Sequence, residues 1–136
     1  YFYDELEFSK DSNLIAQLLH GYEFDKIIGI ENGGISLTNS LAKSFEQEPI
    51  FYSRNLERKF SIYTPLDNVL IVDDILDSGK TLHRIIDDLE LEVNTITIAV
   101  LHVKSDNINQ VMKRVKRIVY AKEIVDNRWI DYFWEK

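Results

Sequence analysis

One pattern constrains the fold of this chain more than any other feature. A short apolar run ends in an acidic or glycine-rich turn, and a stripe of apolar residues at helical spacing follows, over residues 26–45 and again over 69–89. Each copy is typical of a strand, a turn and a helix. Two further β-branched runs, 95–101 and 117–121, indicate strands. Strands that alternate with helices predict an α/β fold with a mostly parallel, twisted sheet flanked by helices.

The remaining segments complete this outline. Apolar residues between Phe8 and Leu19 recur at helical spacing and predict a first helix. Residues 50–53 are typical of a short strand, whereas residues 54–63 are polar, basic and aperiodic, which indicates a loop. The C-terminal end is too aromatic for a free tail, so we expect it to fold back onto the domain. Its aromatic residues are Trp129, Tyr132, Phe133 and Trp134.

Composition excludes several classes of function. The chain has 136 residues and 45% apolar side chains, which suits a single domain over residues 1–136. It has no cysteine, so disulfides, thiolate metal sites and cysteine nucleophiles are excluded, and we expect a reducing, cytoplasmic location. A net charge of -7 argues against nucleic acid as a partner, and no apolar run reaches the roughly 20 residues of a membrane span. An anionic ligand therefore needs local help from amides, cations or Mg²⁺.

The second turn carries the densest chemistry. Ligands of open α/β sheets bind beyond the carboxyl ends of the strands, and the apolar run 69–72 ends there in Asp73 and Asp74, with Asp77 close behind. The residues that open the next helix are Ser78, Gly79, Lys80 and Thr81. Unpaired amides, two hydroxyls and the helix dipole at such a position can hold a phosphate group. Three carboxylates beside a phosphate site suggest Mg²⁺ or sugar hydroxyls as further partners.

Three other interpretations of this turn have to be weighed. A nucleotide triphosphatase loop requires a glycine five residues before Gly79, where this chain has Asp74. A phosphoacceptor receiver domain has its acidic pocket at the end of its first strand, whereas this turn lies in the middle of the chain. A turn that only caps a helix would explain Asp77 and Ser78. Adjacent carboxylates, however, repel each other unless a cation binds, so we favour a functional anion site.

At this point the segment from Val69 to Leu82 resembles the signature of type I phosphoribosyltransferases. The resemblance implies that Asp73 and Asp74 face Mg²⁺ and the ribose hydroxyls of phosphoribosyl pyrophosphate, while the loop from Asp77 to Thr81 wraps its 5-phosphate. It also makes Asp77 a candidate general base in members that use purines.

A second segment resembles the loop of this family that binds pyrophosphate through backbone amides. It comprises Asn32, Gly33 and Gly34, and its alternative interpretation is an ordinary turn between strand and helix. Purine salvage members often carry a cation where this chain has Asn32. The basic segment 54–63 resembles the mobile hood that closes over the active site, so Arg54, Arg58 and Lys59 are candidates to supply the missing charge.

The C-terminal residues resemble the ending of bacterial and archaeal phosphoribosyltransferases of the xanthine-guanine type, although Phe133 replaces the usual proline. The resemblance implies that Trp129 stacks on the base, with Ile130 beside it. Lys104 has the spacing of the lysine that hydrogen-bonds the 6-oxo group of a purine in that family. Without a base site, Trp129 would belong to a terminal aromatic core and Lys104 to the surface.

Together these resemblances predict a Mg²⁺-dependent purine phosphoribosyltransferase that acts on guanine, xanthine or hypoxanthine. We also expect a homodimer or a homotetramer. The alternative is a regulatory protein that keeps the phosphoribosyl pyrophosphate site without catalysis, because some relatives of this fold have acquired such a role and because Asn32 and Phe133 depart from the enzyme pattern.

Overall fold

A parallel sheet lies at the centre of the computed structural model, which describes residues 1–53, 68–125 and 128–135. The strands are β1 (Phe2–Tyr3), β2 (Lys26–Ile30), β3 (Ile50–Tyr52), β4 (Val69–Leu76), β5 (Ile96–Lys104), β6 (Arg117–Ile124) and β7 (Asp131–Tyr132). The helices are α1 (Glu5–Leu18), α2 (Ile35–Phe45), α3 (Lys80–Asp88) and α4 (Ser105–Met112). Five strands form the main sheet in the order β3-β2-β4-β5-β6, and every neighbouring pair is parallel. The predicted fold class is confirmed.

Helices cover both faces of this sheet. α3 and α4 pack on one face through apolar residues such as Ile85 and Val111, and α1 and α2 pack on the other through Ile15 and Leu41. Side chains of β4 alternate between the two cores, as the period of a strand requires. Parallel strands covered on both faces are apolar along their length, which is why the apolar runs in the sequence were a good guide to the sheet.

The register of the strands brings the candidate site residues to one edge. Gly29 of β2 lies opposite Val72 of β4, which lies opposite Ala99 of β5. The glycine turn after β2, the acidic end of β4 and the last residues of β5 therefore open at the same side of the sheet. This is the edge at which ligands bind in folds of this type.

The first and last described residues form a separate two-stranded ladder. β1 pairs in parallel with β7, so that Phe2 lies opposite Asp131 and Tyr3 opposite Tyr132. Both tyrosines are buried, and the ring of Tyr132 stacks on that of Trp134 with centroids 4.6 Å apart. The expectation that the aromatic end folds back onto the domain is confirmed.

The structure differs from the sequence predictions in the lengths of some elements. β4 does not stop before the acidic pair but continues to Leu76, because its partner β5 also continues and Leu76 pairs with Val103. α4 was not predicted, since its sequence is polar and offers few apolar residues at helical spacing. The predicted loop 54–63 lies outside the described residues. In the part of the chain that the structure describes, no helix has the length and apolar character needed to cross a membrane.

Candidate functional site

The turn between β4 and α3 has a glycine with a positive φ directly before the N-terminus of a helix. Gly79 has a φ of 79°, a conformation that glycine adopts without strain. A Cβ at this position would also lie 2.8 Å from Cγ2 of the fully buried Val111. Only glycine therefore fits here, and α3 begins at the next residue, so the amides of its first turn have no acceptor within the helix.

The turn lines a cavity of about 250 Å³ with most of the residues that the sequence singled out. These are Asp73, Asp77, Ser78, Gly79, Lys80 and Thr81. Inside the turn, the Lys80 amide donates to Ser78 Oγ at 3.3 Å. The cavity combines a helix N-terminus, which favours an anion, with one lysine and two carboxylates. Because the carboxylates repel an anion, the ligand must also bring a cation, or hydroxyl groups that donate to the carboxylates.

The acidic pair is held at the end of β4 by local hydrogen bonds. Asp73 Oδ1 accepts from the Asp74 amide at 2.8 Å, and Asp74 Oδ1 accepts from the Ile75 amide at 2.8 Å. Both aspartates are partly exposed. These bonds fix the direction of the carboxylates and leave each one with further acceptor capacity.

The glycine turn after β2 packs directly against this pair. A Cβ built on Gly33 would overlap Asp74 Oδ2, and one built on Gly34 would lie 2.7 Å from the carbonyl oxygen of Ile30 and 2.8 Å from that of Val72. The peptide bond between Glu31 and Asn32 is cis. In the sequence, only the family resemblance linked the acidic turn to the glycine turn. In the structure the two turns are in contact, because the Asp74 carboxylate lies against the backbone of Gly33.

Lys104, at the end of β5, contacts the turn between β4 and α3. Its Nζ lies 3.3 Å from Asp77 Oδ1, where the lysine side chain is 25% and the aspartate side chain 60% exposed. A solvent-accessible pair of this kind adds little to stability, so it can open at small cost. The structure thus brings together Asp77 and Lys104, which lie 27 positions apart in the sequence.

The remaining predicted residues lie in different surroundings. Trp129 is 76% exposed, and its carbonyl accepts a hydrogen bond from the backbone nitrogen of Tyr1 at 3.2 Å. Ile130 is buried and lines a second cavity of about 360 Å³, which shares no lining residue with the first. Asn32 is exposed, and Arg54 lies outside the described residues.

One pair of polar residues near the site was missed in the sequence. His102 of β5 is buried, and its Nδ1 lies 2.9 Å from the hydroxyl of buried Tyr132. Burial lowers the pKa of His102 to about 4, which keeps the imidazole neutral. The sequence did contain a signal for it, because a histidine inside the apolar run of β5 predicts a buried polar side chain, and such a side chain needs a hydrogen-bond partner.

A metal site made by the protein alone is not evident. Within residues 1–53, 68–125 and 128–135, no three histidine, aspartate or glutamate side chains are grouped so that they could hold a metal ion. The acidic pair offers two carboxylates at most. This donor set fits a hard cation such as Mg²⁺ that takes its other ligands from water and from a phosphate-bearing substrate.

Comparisons with known proteins give the family. The family model of the phosphoribosyl transferase domain matches residues 61–133, more than half of the chain, and includes the acidic turn, Lys104 and Trp129 but not the turn at Asn32. No curated protein sequence matches the chain.

Several solved structures share the fold. The xanthine-guanine-hypoxanthine phosphoribosyltransferase of Helicobacter pylori is 22% identical, with a TM-score of 0.75 over 99% of this chain and 91% of that one. The purine phosphoribosyltransferase of Pyrococcus horikoshii is 24% identical, with a TM-score of 0.74 over 100% and 93%. The orotate phosphoribosyltransferase of Aeropyrum pernix is 19% identical, with a TM-score of 0.70 over 89% and 73%. Because these proteins act on different bases, the likeness concerns the fold and not the base. With the family model and the geometry of the turn in agreement, the chain belongs to the phosphoribosyl transferase domain family.

Proposed function

We propose that the protein transfers the 5-phosphoribosyl group of phosphoribosyl pyrophosphate to a 6-oxopurine and gives the nucleoside monophosphate and pyrophosphate. The observation that carries this proposal is the contact between Lys104 Nζ and Asp77 Oδ1 at 3.3 Å. The lysine can only donate hydrogen bonds, whereas the aspartate can accept a proton. The pair lies at the end of β5 and beside residues 77–81, which we call the phosphate turn.

The edge of a 6-oxopurine matches this pair. Its O6 and N7 are neighbours on one side of the ring system, so a donor for O6 and an acceptor for the N7 proton must also lie close together. Lys104 offers donors alone, and ionised Asp77 offers acceptors alone. Adenine would turn its 6-amino donor towards the lysine, which leaves donor facing donor. A pyrimidine would lack the second ring that carries N7.

The phosphate turn supports the other substrate. The amides at the start of α3 and the hydroxyls of Ser78 and Thr81 line the 250 Å³ cavity and suit the 5-phosphate. The amides of the turn at Gly33 suit the pyrophosphate, since the lack of side chains there lets an anion approach the backbone. These groups do not rely on the overall charge of the chain, which is -7 and repels anions.

Asp73 and Asp74 are the residues that we assign to Mg²⁺ and the ribose hydroxyls. When bound with the substrate, Mg²⁺ neutralises charge on the leaving pyrophosphate. The carboxylate of Asp74 lies against Gly33, so the same side chain borders both the acidic turn and the proposed pyrophosphate turn. Asp74 would therefore hold the cation next to the proposed pyrophosphate turn.

The reaction itself needs no covalent intermediate with the protein. Purine N9 forms a bond to the anomeric carbon, the bond from that carbon to the pyrophosphate oxygen breaks, and the N7 proton passes to Asp77. Catalysis then depends on holding the two substrates in line and on stabilising charge as the bond breaks. Asp77 contributes as the proton acceptor.

The experiment that tests this proposal is a substrate panel. Guanine, xanthine, hypoxanthine, adenine and orotate are each offered with phosphoribosyl pyrophosphate and Mg²⁺, and the nucleotide product is measured. We expect the 6-oxopurines to be used, with guanine and xanthine ahead of hypoxanthine. Adenine or orotate as the best substrate would rule out the role of Lys104 and the 6-oxopurine class.

A regulatory role is the second candidate, and the observation in its favour is Asn32. This exposed residue stands where purine salvage members often have a cation for the pyrophosphate. Calorimetry with Mg²⁺-phosphoribosyl pyrophosphate separates the two functions when it is combined with the panel. Tight binding without turnover of any base would favour the regulator over the enzyme.

A further inference from the structure

A buried histidine lies inside the strand that ends at the proposed base site. His102 is on β5, two residues before Lys104, and only 2% of its surface is exposed. Apart from Thr97, the residues that precede it on this strand are apolar. A polar ring in such a place lowers stability unless it is hydrogen-bonded, so its hydrogen-bond partner is the first clue to its role.

The partner is Tyr132, on the strand that follows the Trp129 segment. His102 Nδ1 lies 2.9 Å from the Tyr132 hydroxyl. Both rings also pack edge-on against the ring of Tyr3, at centroid distances of 5.0 Å from His102 and 5.4 Å from Tyr132. The ring of Trp134 stacks on that of Tyr132. The phenol is therefore held on several sides, and its hydroxyl points at the imidazole.

Packing alone does not account for a histidine at this position. Its Nε2 is buried and has no hydrogen-bond partner among the described residues. A purely apolar side chain would fill the position without an unmatched nitrogen, which is a destabilising feature in a core. What histidine adds over such a side chain is the bond to Tyr132.

That bond ties together two segments that the family resemblance assigns to the base, the end of β5 with Lys104 and residues 128–130 with Trp129 and Ile130. We call them the two walls of the proposed base site. Lys104 follows His102 by two residues on β5, and Ile130 precedes Tyr132 by two residues, directly before β7. Two residues of a strand span only about 7 Å, so each wall is close to the bond. We infer that His102 is a positioning residue, which acts through Tyr132 to set the distance between Lys104 and the segment 128–130. This inference rests on the proposed function, because only a base bound between the two walls would sense that distance.

Kinetics with the best base of the panel test this inference. His102→Phe and Tyr132→Phe each remove one end of the bond and keep a ring in place. We expect the KM for the base to rise roughly 3- to 10-fold in either variant, because base binding must then supply the order that the bond provided, and the free energy of one neutral hydrogen bond is the upper limit of that effect. The KM for phosphoribosyl pyrophosphate and kcat should stay within about twofold. The double variant should be no worse than either single one, since both remove the same bond.

Two further variants separate positioning from general packing. His102→Asn keeps a group that can reach the Tyr132 hydroxyl, so it should recover most of the lost base affinity. Tyr3→Phe is the matched control, because it removes a tyrosine hydroxyl in the same core that bonds instead to Asp11 Oδ2 at 2.7 Å. It should lower stability without a selective change in the KM for the base.

Amide hydrogen exchange of residues 128–132 gives a readout that does not need turnover. Faster exchange in this segment alone, in His102→Phe and in Tyr132→Phe, is the expected result. An unchanged KM for the base together with unchanged exchange would overturn the inference and leave the proposed function standing. An equal rise in both KM values would also overturn it, because that outcome indicates a structural role. Failure of the wild-type protein to use any purine would instead overturn the proposed function and with it the base-site role of His102.

Discussion

The phosphate side and the base side of the proposed site are built in opposite ways. The phosphate side comes from two short turns, residues 32–34 and 73–81, in which backbone amides and glycines determine the geometry. The base side is assembled from the end of β5, the segment 128–130 and the ladder of β1 with β7, through side chains distant in sequence. A site made by backbone amides tolerates side-chain substitutions at many of its positions. A site assembled from side chains loses function when any one of them is replaced.

The largest expected effect concerns base selectivity, and it tests whether the base side depends on single side chains. Lys104→Met removes the donors but keeps much of the side-chain length. In the wild-type protein we expect kcat/KM for guanine to exceed that for adenine by about 10⁴-fold, because adenine would leave a polar group of the site mismatched. In the variant this preference should fall to within about 10-fold.

Trp129→Ala is the control for this experiment. Stacking does not distinguish one purine from another, so this variant should weaken all bases alike, by roughly 3- to 10-fold. A guanine preference that survives in Lys104→Met would show that the selectivity resides elsewhere.

The second prediction concerns the residue where the two sides meet. Asp77→Asn preserves shape but cannot accept the proton, so kcat should fall by about 10²- to 10⁴-fold. Calorimetry should find nearly unchanged affinity for Mg²⁺-phosphoribosyl pyrophosphate, because the amides of the turn remain. Turnover close to the wild-type rate would exclude Asp77 as the base.

The third prediction is that folding stability has an acid-sensitive contribution from the base side. The folded pKa of His102 is about 4, and that of a histidine in an unfolded chain is about 6.5. Between pH 4 and pH 6.5 the imidazole of His102 is protonated in the unfolded chain but neutral in the folded one, which favours unfolding. The stability of the folded state is therefore unaffected by this group above pH 6.5 and decreases as the pH falls towards 4. The free energy of unfolding should decrease by about 2 kcal/mol from this group between pH 8 and pH 5.

Urea unfolding at the two pH values measures this decrease. His102→Asn has no group that titrates in this range and should show a pH dependence that is smaller by that amount. An identical pH dependence in the variant and the wild-type protein would contradict the assignment.

The fourth prediction compares two adjacent glycines on the phosphate side. Gly33→Ala would displace the Asp74 carboxylate from its bond with the Ile75 amide, so it should weaken binding of Mg²⁺-phosphoribosyl pyrophosphate by about 10-fold, with a loss of stability of at most about 1 kcal/mol. Gly34→Ala would press on two backbone carbonyls that cannot move aside, so it should lower stability by about 1 to 3 kcal/mol.

The double variant Gly33→Ala/Asp74→Ala provides the test of mechanism. It should bind no more weakly than Asp74→Ala alone, because the methyl group then has no carboxylate to displace. Additive losses would mean that Gly33 acts on the substrate directly.

The same contrast explains how much the sequence could predict. The apolar runs gave the five strands of the sheet because buried parallel strands are continuous in sequence, and the acidic turn was recognisable because its parts are adjacent. The end of β4 was placed too early, since the pairing that carries it through Asp73 to Leu76 is supplied by β5. The partnership of His102 with Tyr132 had no local signal beyond a polar residue in an apolar run. It depends on a ladder between the two ends of the described chain.

That ladder also sets the order in which the parts can form during synthesis. The backbone bond from Tyr1 to Trp129 closes a separation of 128 positions, whereas the turn from β4 to α3 is complete within a few residues. Contacts of such long range form only after the intervening chain is available. A chain still emerging from the ribosome can therefore complete the turn from β4 to α3 before residues 128–132 are available, so the proposed base side is expected to form after the proposed phosphate side.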